Sequence, residues 1–240
     1  MGGRGAASGA KGGAKNGRTA PKNARETQSF SELKSYMQTQ GVNLGSGLEN
    51  KNLEMLKTAS EEILNIRNEF PQAAGAFAEL NGEYSKENAY AAASRITGNI
   101  MIADSMNDVT GASRQYALDV LAGFHPTGTK SDHIFTHESG HILEKALIDK
   151  KYADDIYGKM SALTGRTEAK RVVKNAVKQI KKTPEGKGAK TSDLISQISR
   201  YATTNRSETL AEAVADYRAN GAKAKPLSRA IWAELKKELG

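Results

Sequence analysis

The sequence predicts an α+β fold, in which a small sheet is followed mostly by helices. Three observations indicate this class. Apolar residues recur at helical spacing along much of the chain, residues that favour β-strands are concentrated between positions 76 and 104, and a length of 240 residues suits one domain with or without an appended tail. The chain contains no cysteine, which excludes disulfide scaffolds, thiolate zinc sites and cysteine nucleophiles.

Residues 1–27 are predicted to form a disordered basic tail. The first 25 residues contain six basic side chains and no acidic one, so they carry +6 of the formal net charge of +8. They are rich in glycine and contain no apolar residue larger than alanine after Met1, and therefore cannot bury enough surface to become ordered. Because they also lack the apolar stretch of a signal peptide, we expect no secretion signal in this tail.

Residues 28–75 are predicted to be an N-terminal helical segment. A short helix is expected at 30–38, and it ends at a glycine-rich turn at 41–47. Apolar residues at helical spacing from Leu53 onwards predict a longer amphipathic helix, which ends near Pro71.

Between residues 76 and 104, β-favouring residues are interrupted by Gly82 and Gly98. We predict short strands there at 90–93 and 96–103. Helices are expected over most of the remaining chain, with a turn at 124–130. The predicted helices cover residues 114–122, 132–150, 151–164, 167–182, 192–200, 205–219 and 226–239.

A basic run at 170–190 contains eight lysines and arginines against the single acidic residue Glu185. Its first half has apolar residues at helical spacing, so we interpret the basic residues as the solvated face of a helix. Nucleic-acid binding is the alternative, but no base-reading motif or stacking aromatic residues accompany the charge, and no nucleic-acid partner is expected. No apolar run approaches the roughly 18 residues that span a bilayer, so no membrane association is expected either.

The predicted helix at 132–150 contains the HExxH motif His137-Glu-Ser-Gly-His141. Residues four apart lie one turn apart on the same helical face, so both imidazoles can bind a single ion, and neutral imidazole is a good zinc ligand. Glu138 lies about 100° further round the helix, where it can accept a proton from water without binding the metal. The alternative is an ordinary polar helix face with two solvated histidines.

A catalytic zinc needs a third protein ligand and one open position. The metzincin pattern would place a histidine six residues after His141, where this chain has Leu147. His125 and His133 precede the motif, and we expect His133 to cap the helix or to lie on the surface. A carboxylate from a later helix is therefore the better candidate.

The predicted helix at 205–219 provides such carboxylates. Glu208, Ala211, Glu212 and Ala215 line one stripe of this helix, and the alanines let it approach a neighbour closely and direct both acids into a shared cleft. An alternative for Glu208 is a capping box with Asn205, since Asn-x-x-Glu is that pattern.

Together, the HExGH motif and the later pattern Tyr201-x-x-Thr-Asn-x-x-Glu208-x-x-Ala-Glu212-Ala resemble the catalytic domain of the anthrax lethal factor family, a branch of the gluzincin metallopeptidases. The resemblance implies a zincin-like metallopeptidase domain at 76–240 that binds one Zn²⁺. Its ligands would be His137, His141 and Glu208.

The same resemblance implies the roles of the remaining site residues. Glu138 would be the general base, Tyr201 would stabilise the oxyanion, and Glu212 would hold a ligand histidine by its other ring nitrogen. The strand at 96–103 would bind an extended substrate by backbone pairing.

The expected function is that of a zinc-dependent endopeptidase, which hydrolyses peptide bonds of a protein or peptide substrate with metal-activated water. The amino terminus is similar to leaders of bacteriophage and mobile-element proteins, so we expect the protein in the cytoplasm of a bacterial host or in a virion. The alternative is a catalytically weak, structural zincin-fold protein of a phage or mobile element.

Overall fold

The computed structural model describes residues 20–84, 86 and 89–240. Over these residues the chain is mostly helical with one small mixed sheet, which confirms the predicted α+β class. Residues 1–19 of the predicted tail lie outside the described residues. The predicted boundary at residue 27 is too late, because Ala24 and Thr27 are buried and the backbone N–H of Ala24 donates a hydrogen bond to Glu61.

The helices of the described residues agree in order with the predicted ones. They are α1 (Phe30–Thr39), α2 (Leu53–Glu69), α3 (Val109–Leu121), α4 (His133–Tyr152), α5 (Ile156–Gly165), α6 (Thr167–Ile180), α7 (Thr191–Ser196), α8 (Arg206–Asn220) and α9 (Pro226–Leu239). The start of α3 lies before the predicted one, because Asp108 caps the helix by accepting a hydrogen bond from the N–H of Gly111. The predicted solvated face at 167–182 is confirmed by α6, which buries its apolar side and exposes Lys170, Lys174 and Lys178.

The sheet has four strands in the order β1-β2-β4-β3. They are β1 (Asn43–Leu44), β2 (Glu79–Tyr84), β3 (Ala91–Ala93) and β4 (Asn99–Ala103). Strands β1, β2 and β4 run parallel, whereas β3 is antiparallel to β4 and forms one edge. The predicted strands correspond to β3 and β4.

The predictions missed strands β1 and β2. Strand β1 has only two residues and lies in the predicted turn, and β2 contains Asn81 and Gly82, two residue types that disfavour strands. Glycine is needed at position 82, because a Cβ atom there would lie 2.2 Å from the carbonyl oxygen of Gly47. The close approach of these two segments therefore outweighs the low strand propensity.

Helix α4 lies at the centre of the fold. It packs against α8, α2, α5, β3 and the short 3-10 helix at Pro71–Ala76, and every residue from 134 to 144 is buried. A helix buried on all sides carries polar side chains inside the protein, and buried polar groups require partners. The polar side chains of α4 therefore need partners from the elements packed around it.

The described part of the chain contains no helix with the length and hydrophobicity of a membrane span.

Candidate metal centre

Helices α4 and α8 pack closely enough to bring their polar side chains together. A Cβ atom on Gly140 of α4 would lie 2.7 Å from the Cα atom of Ala211 in α8. Small residues at this crossing let the two backbones touch. His137 and His141, which flank Gly140 in the sequence, consequently lie next to Glu208 in the first turn of α8.

The three predicted ligands converge in the structure. Oε2 of Glu208 lies 3.2 Å from Nε2 of His137 and 3.3 Å from Nε2 of His141. One ligand atom from each residue lies within 4.8 Å of the other two, and no other such group of metal-binding side chains occurs in the described part of the chain. The alternative, an ordinary polar helix face with two solvated histidines, is excluded because both imidazoles are buried.

The donor set fits a metal ion. Two ligands about 2.05 Å from a tetrahedral zinc lie about 3.3 Å apart, which is close to both distances to Glu208. Oε2 of Glu208 is buried and forms no aligned hydrogen bond with any described residue. A buried carboxylate oxygen without a hydrogen bond is costly, and coordination of a cation would remove that cost. The His137, His141 and Glu208 group can therefore hold a metal ion.

The structure also resolves the alternative role of Glu208. Asn205 caps α8, and its side-chain oxygen accepts hydrogen bonds from the backbone N–H groups of Ser207 and Glu208. The carboxylate of Glu208 points instead to the two histidines. Burial alone would raise the pKa of this carboxyl group, but His137 and His141 hold it well below its ordinary value, so Glu208 is ionised.

Glu138 lies beside the three candidate ligands, and all four residues line one open cavity. It does not belong to the group of converging ligand atoms, as its position on the helix predicted. The backbone N–H of Ala93, in the edge strand β3, faces its carboxylate. Burial raises the pKa of Glu138, and the nearby His137 and His141 offset part of that rise.

Tyr201 contacts the candidate ligand His137 and the neighbouring Phe124 through its ring. It belongs to a short 3-10 helix (Tyr201–Thr203) that precedes α8. The centroid of its ring lies 5.7 Å from that of His137 and 5.0 Å from that of Phe124, and both pairs are stacked. Burial raises the pKa of the Tyr201 phenol, and the charges of Glu208 and Glu138 raise it further. The phenol therefore stays protonated at neutral pH and can donate a hydrogen bond into the cavity.

Glu212 supports the other side of His137. Nδ1 of His137 lies 2.8 Å from Oε1 of Glu212, although the contact is not aligned as a hydrogen bond, and the hydroxyl group of Ser199 donates a 2.7 Å hydrogen bond to Oε2. Burial would raise the pKa of Glu212, but contacts with His125 and His137 lower it to about 2. Glu212 is thus a fully buried anion in contact with the ring of His137.

His125 is a site residue that the sequence analysis did not identify. Its Nδ1 lies 3.3 Å from Oε1 of Glu212, and its ring stacks on Tyr116 at 4.5 Å. Two backbone hydrogen bonds, from Arg200 to Gly123 and from Tyr201 to Phe124, bring its loop to the site. No sequence spacing predicts such a contact between a loop and a helix far along the chain.

His133 lies outside the metal centre. Its Nδ1 accepts a hydrogen bond from the backbone N–H of Lys130 and lies 2.8 Å from Asp132. The expected capping or surface role of His133 stays a prediction, because its contacts are with the turn before α4.

An open cavity of about 920 Å³ lies above the metal centre. It is lined by the candidate ligands, Glu138, Tyr201 and the edge strand β3. The prediction that 96–103 pairs with substrate is wrong, because β4 is already paired with β2 on one side and with β3 on the other. Among the described strands, β3 borders the cavity and pairs with a neighbour on one side only.

Comparison of the chain with protein-family models, with curated proteins and with solved structures gives no match.

Proposed function

We propose that the protein is a zinc-dependent endopeptidase of the gluzincin type with a zincin-like domain. The observation that carries the proposal is the convergence of His137, His141 and Glu208 below a cavity that Glu138 and Tyr201 also line. Two imidazoles and one carboxylate are a common catalytic zinc set, which leaves a coordination position open. When bound, zinc supplies a Lewis acid that polarises a carbonyl oxygen and lowers the pKa of water.

Glu138 acts as the general base in this proposal. Its carboxylate is close to the ligands without belonging to them, so it can take a proton from the attacking water. The raised pKa of Glu138 makes its carboxylate a better base than an exposed one. The same proton then passes to the amine nitrogen as the carbon–nitrogen bond of the substrate breaks.

Tyr201 stabilises the negative charge that develops on the carbonyl oxygen of the substrate. Its phenol is protonated, and its ring is fixed between His137 and Phe124, so the hydrogen-bond donor is positioned before the reaction begins. A structural protein with this fold would not require Glu138 and Tyr201 in the same cavity, which favours the enzyme over the structural alternative.

The substrate in this proposal is an extended peptide, part of a protein of a bacterial host or a virion. Strand β3 borders the cavity as an edge strand of the described sheet, and extended peptides bind to such an edge by adding a strand. Because the N–H of Ala93 in β3 faces Glu138, a peptide on this edge passes the general base.

The test is cleavage of a synthetic peptide library by the zinc-loaded protein, followed by mass spectrometry. We expect the wild type and the exposed-site control Glu49→Gln to cleave the same peptides. Glu138→Gln should retain zinc but lose about 100-fold or more in rate, because the general base is removed. Failure of the zinc-loaded wild type to cleave any peptide, or equal cleavage by Glu138→Gln, would contradict the proposal.

A further inference from the structure

A second, smaller cavity of about 160 Å³ borders the metal centre. It shares Ala93, His141 and Glu208 with the main cavity, and its other lining residues carry positive charge or a hydroxyl group. These additional residues are Arg95, Arg166 and Ser207. Two arginines in so small a space beside the reacting centre indicate a site for an anion.

Arg95 is a fixed hydrogen-bond donor. It lies in the turn after β3, and its Nη1 donates hydrogen bonds to both carboxylate oxygens of Glu144 at 3.1 Å and to the hydroxyl oxygen of Ser207 at 3.0 Å. Glu144 is fully buried, so it anchors the guanidinium group from inside the protein. Nε and Nη2 of Arg95 hydrogen-bond to no described residue and remain available to a ligand.

Arg166 adds a second positive charge to the cavity. It is half-buried at the junction between α5 and α6, and it forms no ion pair with an acidic residue in the described part of the chain. Glu144 balances the charge of Arg95, and a bound Zn²⁺ would offset the carboxylate of Glu208, which also lines the cavity, so the charge of Arg166 remains for a ligand. An arginine in this position can bind a carboxylate through two parallel N–H groups.

His141 also lines this cavity and carries a polar atom without a partner. The residue is 8% exposed, and its Nδ1 is buried without a hydrogen-bond partner among the described residues. Because Nε2 faces Glu208 and the candidate metal position, Nδ1 is the ring nitrogen left for a second partner. Buried polar atoms need such a partner, and ligand histidines usually have one.

The cavity also lies on the path of the substrate. Ala93 lines both cavities, and its N–H faces Glu138. A peptide paired with β3 that passes Glu138 would therefore also pass the smaller cavity, because Ala93 borders both.

We propose that this second cavity is a subsite that binds a carboxylate of the substrate between Arg95 and Arg166, an inference that rests on the proposed peptidase function. The carboxylate belongs either to an aspartate or glutamate next to the cleaved bond or to the free carboxyl terminus of the peptide. Both sources present the same group to the two arginines. The enzyme accordingly prefers bonds next to an acidic residue or bonds close to a free carboxyl terminus.

The test uses peptide hydroxamates, which bind the catalytic metal without being cleaved. One pair carries glutamate or glutamine next to the hydroxamate, with an amidated carboxyl terminus. A second pair carries glutamine and has either a free or an amidated carboxyl terminus. Binding to the zinc-loaded wild type is measured by calorimetry, so the readout does not depend on turnover.

We expect the carboxylate member of one pair to bind at least about tenfold more tightly than its neutral partner. A preference in the first pair identifies an acidic side chain as the source, and a preference in the second identifies the carboxyl terminus. Arg166→Gln should abolish the preference, Arg166→Lys should retain part of it, and the exposed control Arg114→Gln should leave it unchanged. Residue 166 has a left-handed φ of 51°, which glutamine and arginine tolerate equally, so folding is not expected to change.

The subsite is overturned if the wild type shows no preference in either pair, if no hydroxamate binds, or if Arg166→Gln keeps the preference. Peptide cleavage without a carboxylate preference would refute the subsite alone. A carboxylate preference that depends on Arg166, in a protein that cleaves no peptide, would support the subsite and refute the peptidase.

Discussion

Gly140 and Ala211 are in close contact at the crossing of α4 and α8, and this contact sets the distance between the two halves of the candidate metal centre. A Cβ atom at position 140 would lie only 2.7 Å from the Cα atom of Ala211, so a side chain there would push the helices apart. The histidines belong to α4 and Glu208 belongs to α8, so any separation of these helices moves the ligands apart.

Gly140→Ala should therefore weaken both the fold and the metal site. The added methyl group overpacks the crossing, at a cost of about 1–3 kcal/mol in the free energy of unfolding that exceeds the gain of up to about 1 kcal/mol in helix propensity. Chemical denaturation and zinc competition measure the two effects. Gly75→Ala is the control, because a Cβ atom at Gly75 would meet nothing within 4 Å. Equal stability and equal zinc affinity in the two variants would contradict the close crossing.

Tyr201→Phe should keep zinc and stability but reduce kcat/KM by about 100-fold or more, as expected when an oxyanion donor is removed. The ring contacts with His137 and Phe124 do not need the hydroxyl group, and no described residue accepts or donates a hydrogen bond there. Tyr157→Phe, on an exposed tyrosine of α5, is the matched control. Wild-type kinetics in Tyr201→Phe would remove the phenol from the mechanism.

Glu212→Ala should lower zinc affinity about 10- to 100-fold, because His137 loses the carboxylate that orients its ring. Ser199→Ala should cause a smaller loss, since it removes only one partner of Glu212. Ser192→Ala, on an exposed serine of α7, should change nothing. Zinc competition with a chromophoric chelator ranks the three variants. An affinity in Glu212→Ala as high as in the wild type would show that His137 is oriented without this carboxylate.

Zinc affinity should fall as the pH falls. Burial lowers the pKa of His137, but Glu208 and Glu212 raise it by more, so its net pKa lies above the ordinary value. A proton thus competes for His137 at a pH where a free imidazole would be neutral, and below that pKa the affinity should drop about tenfold per pH unit for each proton displaced. Competition titrations at pH 8, 7 and 6 measure this dependence. A constant affinity over that range would contradict it.

The sequence could predict those parts of the site that depend on local spacing. His137, Glu138 and His141 lie within one turn and a half of a helix, so their relative positions follow from helix geometry alone. Glu208 lies on another helix. Its role could be inferred only because no metzincin-type histidine follows the motif and because the pattern that begins at Tyr201 resembles that of a known family. The structure brings all of these residues to one cavity.

The remaining features depend on packing between distant segments. His125 reaches Glu212 only because its loop pairs with the segment before α8, and no periodicity encodes that pairing. Strand β2 forms despite Asn81 and Gly82, because a parallel neighbour on each side supplies the hydrogen bonds that propensity does not indicate. The edge position of β3 likewise depends on strand order, which the sequence pattern leaves open.

The most direct test of the central claim is the metal content of the purified protein after incubation with zinc and removal of unbound ion. Elemental analysis should find one zinc per chain in the wild type and in the exposed-site control Glu49→Ala, and much less in Glu208→Ala. Absence of zinc from the wild type, or equal zinc in Glu208→Ala, would contradict a metal centre formed by His137, His141 and Glu208.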